Sequence, residues 1–329
     1  MPAMRYFMTG ASGFLGRVLA EQLATDGHEI VAVVRAPERS PWLADLGAEV
    51  HRGDVTDKDS MRGPMRGVDG VFHVAGVYRV GVRDPAPLEA VNVGGTRNVL
   101  ELMAELEIPR GVYTSTLAIN SNTHGKVVDE SYRYDGPHLS HYDRTKWEAH
   151  RLVAEPMMAQ GLPLVVVMPG AIYGPRDHSA IADVLTRSLR GRLPAVPVGN
   201  AYCWATVADT ATAHRLAMDH GVAGESYIVA GPPESLSGAL TLAAEIAGTR
   251  PPRFQIPVSA MRALAGTVGA LAKVVPPAAG QAESLRVAAG VTYLGDHTKA
   301  TQQLGFSPVS LREGFAEYIP TLLDEAAER

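Results

Sequence analysis

The stretch TGASGFLG, residues 9–16, decides the fold of this chain. It follows an apolar run that predicts a strand and opens a segment with helical periodicity. Its glycine spacing, GxxGxxG, is one residue longer at the start than the GxGxxG fingerprint of dinucleotide-binding turns. We expect Gly10 to permit the tight turn, Gly13 to let a pyrophosphate approach the backbone and Gly16 to let helix and strand pack closely. The unpaired N–H groups at the start of the helix would then face the phosphates.

Short apolar runs alternate with helical segments through the first half of the chain, which predicts a parallel sheet covered on both faces. The predicted strands are Tyr6–Thr9, Ile30–Val34, Glu49–Gly53, Gly70–Val74, Val112–Thr116 and Pro163–Met168. The predicted helices between them are Leu15–Ala24, Asp59–Met65, Leu88–Leu106 and Tyr142–Gln160. This pattern is typical of an α/β, doubly wound Rossmann fold, which binds its ligand beyond the carboxyl ends of the strands.

The alternation breaks at Pro169, where a smaller lobe begins. We predict a loop at Pro169–Asp177, an irregular stretch at Leu193–Trp204, and a return to the sheet through a helix at Val207–Asp219 and a strand at Ser226–Val229. Further helices are predicted at Ile181–Arg190, Leu236–Ala247, Ser259–Lys273 and Leu311–Glu325. The predicted nucleotide domain therefore comprises residues 1–168 and 206–230, and an intertwined C-terminal substrate lobe comprises residues 169–205 and 231–329.

Composition excludes several classes of function. Of 329 residues, 46% are hydrophobic, so a large core can form, and the net charge of −5 with no long basic run argues against a nucleic-acid partner. Cys203 is the sole cysteine, and no Cys/His cluster has metal-ligand spacing, so we expect neither a disulfide nor a metal site. No stretch has the length and apolar character of a membrane span, and no leader precedes the first strand. We therefore expect a cytoplasmic protein without a membrane partner.

The second predicted strand distinguishes between the two nicotinamide dinucleotides. An NAD site usually carries an acid at its end, whereas an NADP site places a cation there to face the 2′-phosphate. Here the strand ends at Arg35, and Arg39 follows one helical turn later. A guanidinium suits a phosphate because it donates two parallel hydrogen bonds, so NADP(H) is favoured and NAD(H) is the alternative. Asp54, after the third strand, is a candidate to meet the adenine edge or equally a turn residue.

Tyr142 and Lys146 lie four residues apart, on one face of a predicted helix. A phenol titrates near ~10, so a neighbouring ammonium is needed before it can relay protons at neutral pH. Thr116 ends the fifth predicted strand, where its hydroxyl could hold a substrate oxygen while Tyr142 donates a proton. Ser115 is the alternative hydroxyl, because the triplet can be aligned one residue earlier.

Several further motifs run along almost the whole chain: GDVTD (53–57), VFHVAG (71–76), VNVGGTRNVLE (91–101), YTSTLA (113–118), YDRTK (142–146), PGAIYGPRD (169–177) and LGFSP (304–308). With TGASGFLG, they resemble the extended short-chain dehydrogenase/reductase family, also called the NAD-dependent epimerase/dehydratase family. Within that family the chain looks most similar to the dihydroflavonol 4-reductase-like branch and its sugar-epimerase-like relatives.

The resemblance implies Tyr142 as proton donor or acceptor, Lys146 as its electrostatic partner and Thr116 as the family's Ser/Thr. It also implies that the cofactor is lined by Ala75, Gly76, Pro169, Gly170, Ala171 and Ile172. Other expected cofactor contacts are Ser12, Phe14, Leu15, Val55 and Thr114. In relatives, the two helices predicted here at Leu88–Leu106 and Tyr142–Gln160 form the interface of a homodimer, so we expect a homodimer.

The substrate pocket is the least determined part of the sequence. Candidate wall residues are Tyr78, Arg79, Asn120, Tyr173, Tyr202 and Trp204, and Arg176 is a candidate to bind an anionic substrate. Two segments depart from the usual family pattern: Met168 stands where many relatives have Arg, and Thr206–Asp209 replaces His-Val-Asp-Asp. Both departures weaken the transfer of a sugar-nucleotide substrate to this chain.

Three hypotheses follow. The first is an NADP-dependent oxidoreductase that reduces a hydrophobic or aromatic ketone or aldehyde, or oxidises the alcohol, by hydride transfer with Thr116, Tyr142 and Lys146. The second is a sugar or nucleotide-sugar epimerase/dehydratase that keeps its NAD(P) bound. The third is a cofactor-sensing regulator, which the intact Tyr/Lys pair disfavours.

Overall fold

A computed structural model of the chain describes residues 2–272 and 278–327. Its strands, β1 to β13 in chain order, are Arg5–Thr9, Glu29–Val34, Glu49–Arg52, Gly70–His73, Gly111–Thr114, Leu164–Pro169, Ala171–Tyr173, Ala195–Pro197, Ala201–Thr206, Ser226–Val229, Pro233–Ser235, Phe254–Ile256 and Thr292–Tyr293. Its α-helices, α1 to α14, are Phe14–Thr25, Trp42–Asp45, Lys58–Arg62, Ala86–Glu89, Thr96–Glu105, His141–Glu148, Glu155–Ala159, Ala180–Leu189, Val207–His220, Leu236–Ile246, Val258–Ala272, Ala278–Val287, Thr298–Leu304 and Leu311–Ala327.

Four short helical segments complete these elements. Two are π-helical: Ala90–Gly95 joins α4 to α5, and Ala149–Ala154 joins α6 to α7. The other two are 3₁₀ turns, at Pro37–Arg39 and Leu117–Asn120. The long helices predicted at Leu88–Leu106 and Tyr142–Gln160 are therefore each continuous, with a wider π-helical turn in the middle.

The main sheet has seven strands in the order β10-β6-β5-β4-β1-β2-β3, and every pair is parallel. Its inner strands consist mostly of buried apolar residues; in β6 all six residues are apolar and buried. Such runs are expected where helices cover both faces of a parallel sheet. Two clusters of buried side chains fill the two sides, one including Phe7 and Leu100 and the other including Met8 and Leu19. This architecture confirms the prediction of a doubly wound Rossmann fold.

The glycine turn allows the first strand, the first helix and the fourth strand to come together. Gly10 has a φ of +73°, and a Cβ there would lie 2.6 Å from the backbone N of Ala75. A Cβ at Gly16 would lie 2.0 Å from the carbonyl oxygen of Gly10. Both distances are shorter than van der Waals contact, so only glycine fits at either position.

The C-terminal part of the chain contains two small sheets that the sequence analysis missed. The stretch Leu193–Trp204, predicted as irregular, contains β8 and most of β9, and the predicted loop Pro169–Asp177 contains β7. β9 pairs with β7, β11 and β13, whereas β8 pairs with β12. Most of these strands have two or three residues, which is too short for an apolar alternation to be recognised. The predicted helix Ser259–Lys273 corresponds to α11, although Lys273 lies outside the described residues.

β10 forms one edge of the main sheet, and side chains hydrogen-bond to its outer backbone groups. The N–H of Ile228 donates to Glu130 Oε1 at 2.8 Å. Lys299 Nζ donates to the carbonyl oxygen of Ser226, also at 2.8 Å. Among the described residues, none of the helices combines the length and the apolar character that a membrane span needs.

Candidate active site

The carboxyl ends of the parallel strands meet at one edge of the sheet, where the glycine turn opens helix α1. Ser12 and Gly13 are exposed, Phe14 is half-buried, and Leu15 and Gly16 are buried. The N-cap of α1 is Gly13, which supplies no side-chain cap, and the first turn contains no acidic residue. Free N–H groups and the helix dipole therefore face this edge, which is the environment that a pyrophosphate requires.

The end of β2 is positively charged. Arg35 and Arg39 are both exposed there. Arg52, at the end of β3, donates to the carbonyl oxygen of Arg35 at 3.0 Å and pairs with Glu38 at 2.8 Å. The sequence analysis did not select Arg52, because the parallel pairing of β2 with β3 is what brings it close to Arg35. The two arginines selected from the sequence thus present exposed side chains at the position expected for a 2′-phosphate.

Asp54 forms a turn within its own segment. Its Oδ1 accepts hydrogen bonds from the backbone N and the Oγ1 of Thr56, each at 2.9 Å. This is the geometry of an Asx turn, the second of the two interpretations left open by the sequence. The neighbouring Val55 is buried, and its side chain packs against Gly95.

Three consecutive hydroxyl residues at the end of β5, Thr114, Ser115 and Thr116, face different partners. Thr114 Oγ1 is 2.8 Å from His214 Nε2, and Ser115 Oγ is 2.7 Å from His150 Nδ1. Both histidines are fully buried, and burial lowers the pKa of each, so they are neutral partners. Thr116 Oγ1 accepts from the backbone N–H of Ala118 at 3.1 Å, and its hydroxyl lies near enough to the phenol of Tyr142 to lower the pKa of that group. The geometry therefore favours Thr116 over Ser115 as the hydroxyl next to the phenol.

Tyr142 lies at the N-terminal end of α6, beneath the ring of Tyr78. The two rings meet edge to face, with centroids 4.8 Å apart and an interplanar angle of 86°. Burial raises the pKa of Tyr142, while the nearby hydroxyl of Thr116 acts in the opposite direction. Tyr78 itself is 52% exposed, so it forms the outer wall of the site.

Lys146 is buried one helical turn beyond Tyr142. Its Nζ donates to the carbonyl oxygen of Thr114 at 2.8 Å and to Tyr113 Oη at 3.1 Å. We find no hydrogen bond from this ammonium to Tyr142 Oη within the described residues. Burial lowers the pKa of Lys146 to about 7. A Cβ at Gly76 would lie 4.0 Å from Nζ, so the exposed end of β4 passes directly in front of the ammonium.

The remaining predicted cofactor contacts lie at the same carboxyl edge of the sheet, after β4 and β6. Ala75 N donates to Thr9 Oγ1 at 3.3 Å, which fixes the end of β4 beside the glycine turn. Pro169 ends β6, and a Cβ at Gly170 would lie 2.2 Å from the carbonyl oxygen of Cys203. Ala171 and Ile172 continue as β7, which pairs with β9. The chain therefore passes from the main sheet to the small sheet of β7 and β9 directly at the site.

Two of the predicted pocket residues are core residues. Tyr173 and Trp204 are both buried, and their rings pack around Phe315 with centroids 5.0 and 6.0 Å away. Both rings belong to the core of this part of the chain, and their contact with substrate stays a prediction. Tyr202 lies one layer further out: its ring stacks on Tyr293 at 6.0 Å and meets the edge of Trp204 at 5.8 Å.

The other predicted substrate contacts differ in their surroundings. Asn120 is buried, and its Nδ2 has no hydrogen-bond partner among the described residues. Arg79 is exposed, in the same connection as Tyr78. Arg176 faces two carboxylates: its backbone N–H donates to Glu325 at 2.9 Å, and its guanidinium lies 3.4 Å from Glu21. These contacts place Arg176 against α1 and α14.

Two buried polar residues of the site were missed by the sequence analysis. Asp143 accepts from Ser140 Oγ at 2.8 Å and from Tyr293 Oη at 3.2 Å, and burial raises its pKa to about 7. Asn92 bonds to both backbone groups of Val77 and donates to Thr145 Oγ1 at 3.0 Å. For Asn92 the available signal was an amide within the apolar run AVNVGG, whereas Asp143 lies in a polar segment that gives no such signal.

No group of three or more His, Cys, Asp or Glu side chains suited to a metal ion occurs in residues 2–272 and 278–327.

The chain is similar to a known protein family, to characterised proteins and to solved structures. The family model described as "NAD dependent epimerase/dehydratase family" matches residues 6–230. A dihydroflavonol 4-reductase-like protein of Synechocystis sp. is 32% identical, over 95% of this chain and 93% of that protein. The 4-hydroxy-2-methyl-3-oxo-4-farnesyl-3,4-dihydroquinoline-1-oxide ketoreductase of Stigmatella aurantiaca is 32% identical, over 92% of each chain. The crystal structure of gox2253 superposes with a TM-score of 0.85 at 28% identity, covering 97% of this chain and 98% of that one.

Asp143 and Lys146 are expected to give the free energy of unfolding opposite pH dependences. Burial raises the pKa of Asp143 from 3.8 to about 7, so the folded state binds more protons and stability falls as the pH rises through that window. Burial lowers the pKa of Lys146 from 10.5 to about 7, so the unfolded state binds more protons and stability rises above pH 7. Urea unfolding across pH should show the fall flattened in Asp143→Asn and the rise flattened in Lys146→Met. A Lys146→Met protein that keeps the full alkaline rise would contradict the burial of this ammonium.

Proposed function

The chain belongs to the NAD dependent epimerase/dehydratase family, and from that premise we propose that it is an NADP-dependent oxidoreductase acting on a ketone or aldehyde and the corresponding alcohol. The observation that carries the proposal is the convergence of Thr116, Tyr142 and Lys146 at the sheet edge, beside the exposed end of β4 at Gly76. This arrangement combines a proton donor, a hydroxyl and a buried cation next to a turn that fits a dinucleotide.

The residues fit the cofactor that the family binds. The uncapped N-terminus of α1 would hold the pyrophosphate, Arg35 and Arg39 the 2′-phosphate, and Lys146 the hydroxyls of the nicotinamide ribose. The bound cofactor supplies the hydride that reaches the carbonyl carbon.

The chain's own residues manage the carbonyl oxygen. Thr116 donates a hydrogen bond to it, and Tyr142 gives it a proton as the alcohol forms. Burial raises the pKa of Tyr142, so the phenol is protonated and ready to act as the acid. The positive charge of Lys146 favours the phenolate left behind, and proton return from solvent completes the cycle. Alcohol oxidation uses the same residues in reverse.

The walls of the site favour a hydrophobic or aromatic carbonyl compound. Tyr78, Tyr202 and Tyr293 present rings around Tyr142 and Asp143. Asn120 Nδ2 is buried without a hydrogen-bond partner among the described residues, so it stays a candidate donor to an acceptor atom of the substrate. The guanidinium of Arg176, the candidate for a phosphate group, already faces the carboxylate of Glu21 at 3.4 Å. Similarity to a ketoreductase supports the same substrate class.

The family also includes epimerases and dehydratases, which return the hydride to their substrate. Such an activity would leave the total amount of reduced cofactor unchanged, and the purified protein would carry bound nucleotide. Net oxidation of NADPH by a carbonyl compound distinguishes the proposed reductase from this alternative.

Tyr142 is the first residue to test. With a panel of aryl ketones that includes 1-tetralone and ethyl benzoylacetate, we expect NADPH oxidation by the wild type and a loss of roughly 10³-fold in kcat for Tyr142→Phe, because the proton donor is removed. Thr116→Val should lose roughly 10²-fold, since one donor to the oxygen is gone. Ser115→Ala is the matched control and should stay within about threefold, because Ser115 contacts His150. Tight NADPH binding without turnover of any ketone would count against a reductase.

Arg35 and Arg39 provide the test of cofactor preference. In the double variant Arg35→Ala/Arg39→Ala, the Kd of NADPH should rise by roughly 10-fold to 100-fold, because hydrogen bonds between charged groups are lost. The Kd of NADH, which has no 2′-phosphate, should change by less than about threefold. Arg250→Ala removes another exposed arginine and serves as the control. Equal weakening of both cofactors in titrations by fluorescence would contradict an NADP site.

We further propose a homodimer formed through the helices that include Ala90–Gly95 and Ala149–Ala154. Leu152, on the second of these segments, is 56% exposed, which is costly for a large apolar side chain unless a partner covers it. Sedimentation velocity should give twice the 35.0 kDa of one chain, and Leu152→Glu should give the monomer. Val222→Glu, at a residue 54% exposed, is the control. A wild-type monomer at all concentrations would rule out this interface.

A further inference from the structure

Glu283 is a buried acid that belongs to the C-terminal lobe. It lies on α12 and is only 3% exposed, and no other acidic residue occurs between Glu245 and Glu283. A carboxylate is costly to bury unless it accepts hydrogen bonds that replace water. Its partners therefore show what this residue does.

A single carboxylate oxygen of Glu283 accepts hydrogen bonds from two segments that are distant in sequence, the connection after β4 and the start of α6. Oε1 accepts from the backbone N–H of Gly81 and from that of His141, each at 3.2 Å. His141 is the first residue of α6 and immediately precedes Tyr142. Gly81 lies three residues after Tyr78 in the connection between β4 and α4. The carboxylate also lies at the N-terminus of α6, where the helix dipole favours a negative charge.

The backbone around Gly81 packs directly on α12. Gly81 has a φ of +77°, and a Cβ there would lie 2.5 Å from Ser284 Oγ and 2.8 Å from the carbonyl oxygen of Gly280. A Cβ at Gly280 would in turn lie 2.2 Å from the carbonyl oxygen of Gly81. Two glycines thus allow a contact between backbones, and the carboxylate of Glu283 reaches Gly81 N from the next turn of the helix.

The connection that carries Tyr78 is consequently held at two points. At its start, Asn92 accepts from the N–H of Val77 at 2.8 Å. At its end, Glu283 accepts from the N–H of Gly81. Between these points the ring of Tyr78 lies edge to face with the ring of Tyr142. Asn92 comes from the Rossmann sheet's own helices, whereas Glu283 comes from the other lobe.

We propose that Glu283 is a positioning residue that sets the distance between the Tyr78 connection and the start of α6, and through it the affinity for the carbonyl substrate. It touches neither the reacting atoms nor the predicted dinucleotide contacts. Its effect therefore falls on substrate binding and leaves cofactor binding unchanged. This inference rests on the proposed function in one respect, because it takes Tyr142 as the proton donor.

The first measurement concerns the hydrogen bonds alone. Amide hydrogen exchange, resolved by residue, should be faster by roughly 10-fold or more at Gly81 and His141 in Glu283→Ala, because a buried bond to a charged acceptor is lost. Val77, whose amide is bound by Asn92, is the internal control and should keep its rate. Glu283→Gln keeps an acceptor oxygen and should restore slow exchange at both amides. Unchanged exchange at Gly81 and His141 in Glu283→Ala would overturn the proposal.

The second measurement concerns substrate. With the aryl ketone panel, Glu283→Ala should raise KM by roughly 10-fold and change kcat by less than about threefold, and Glu283→Gln should return KM to within about threefold of the wild type. The Kd of NADPH should be the same in all three proteins. Loss of kcat at constant KM, or an equal loss in both variants, would overturn the positioning effect. If the wild type reduces no ketone, the proposed function fails, while the exchange rates still decide whether Glu283 holds the two segments.

Discussion

The close approach of backbones at Gly10 is the constraint on which the rest of the structure depends. With a φ of +73° and no room for a Cβ beside Ala75, this residue lets β1 turn sharply into α1 while the end of β4 passes alongside. Because all seven strands of the sheet are parallel, their carboxyl ends then lie at one edge. For this reason one edge of the sheet brings together four features: the N-terminus of α1, the arginines after β2, the end of β4 and the hydroxyls at the end of β5.

The chemistry of the site comes from polar groups that the fold removes from water. Thr9, Thr114 and Ser115 are each bound to a buried histidine, and burial lowers the pKa of His73 to about 3. These neutral contacts fix the ends of β1 and β5 without adding charge. Lys146 is the buried cation among them, and its ammonium is held by a backbone carbonyl and a phenol rather than by a carboxylate. A cation without an acidic partner keeps its field available for whatever binds in front of it.

The sequence predicted the elements whose signal is local. The glycine turn, the order of strands and helices in the sheet, and the positions of Tyr142 and Lys146 follow from short motifs and periodicity. The sequence could not show which aromatic residues are fully buried. Tyr173 and Trp204 are buried, whereas Tyr202, which contacts Trp204, lies further out, and the neighbouring residues in the sequence give no sign of this difference. Nor could it find Glu283, whose two partners precede it by 202 and 142 positions. Such contacts exist only once the lobes have packed together.

The side chains that bind the outer backbone groups of β10 affect how two copies of the chain can associate. An open parallel sheet would ordinarily offer its last strand as a template for a foreign strand, with the risk of aggregation. Here Glu130 occupies the N–H of Ile228 and Lys299 occupies the carbonyl of Ser226. Two copies of the chain cannot extend their sheets into one another at these positions without first breaking both contacts. Strand addition is thereby disfavoured at the β10 edge of the sheet.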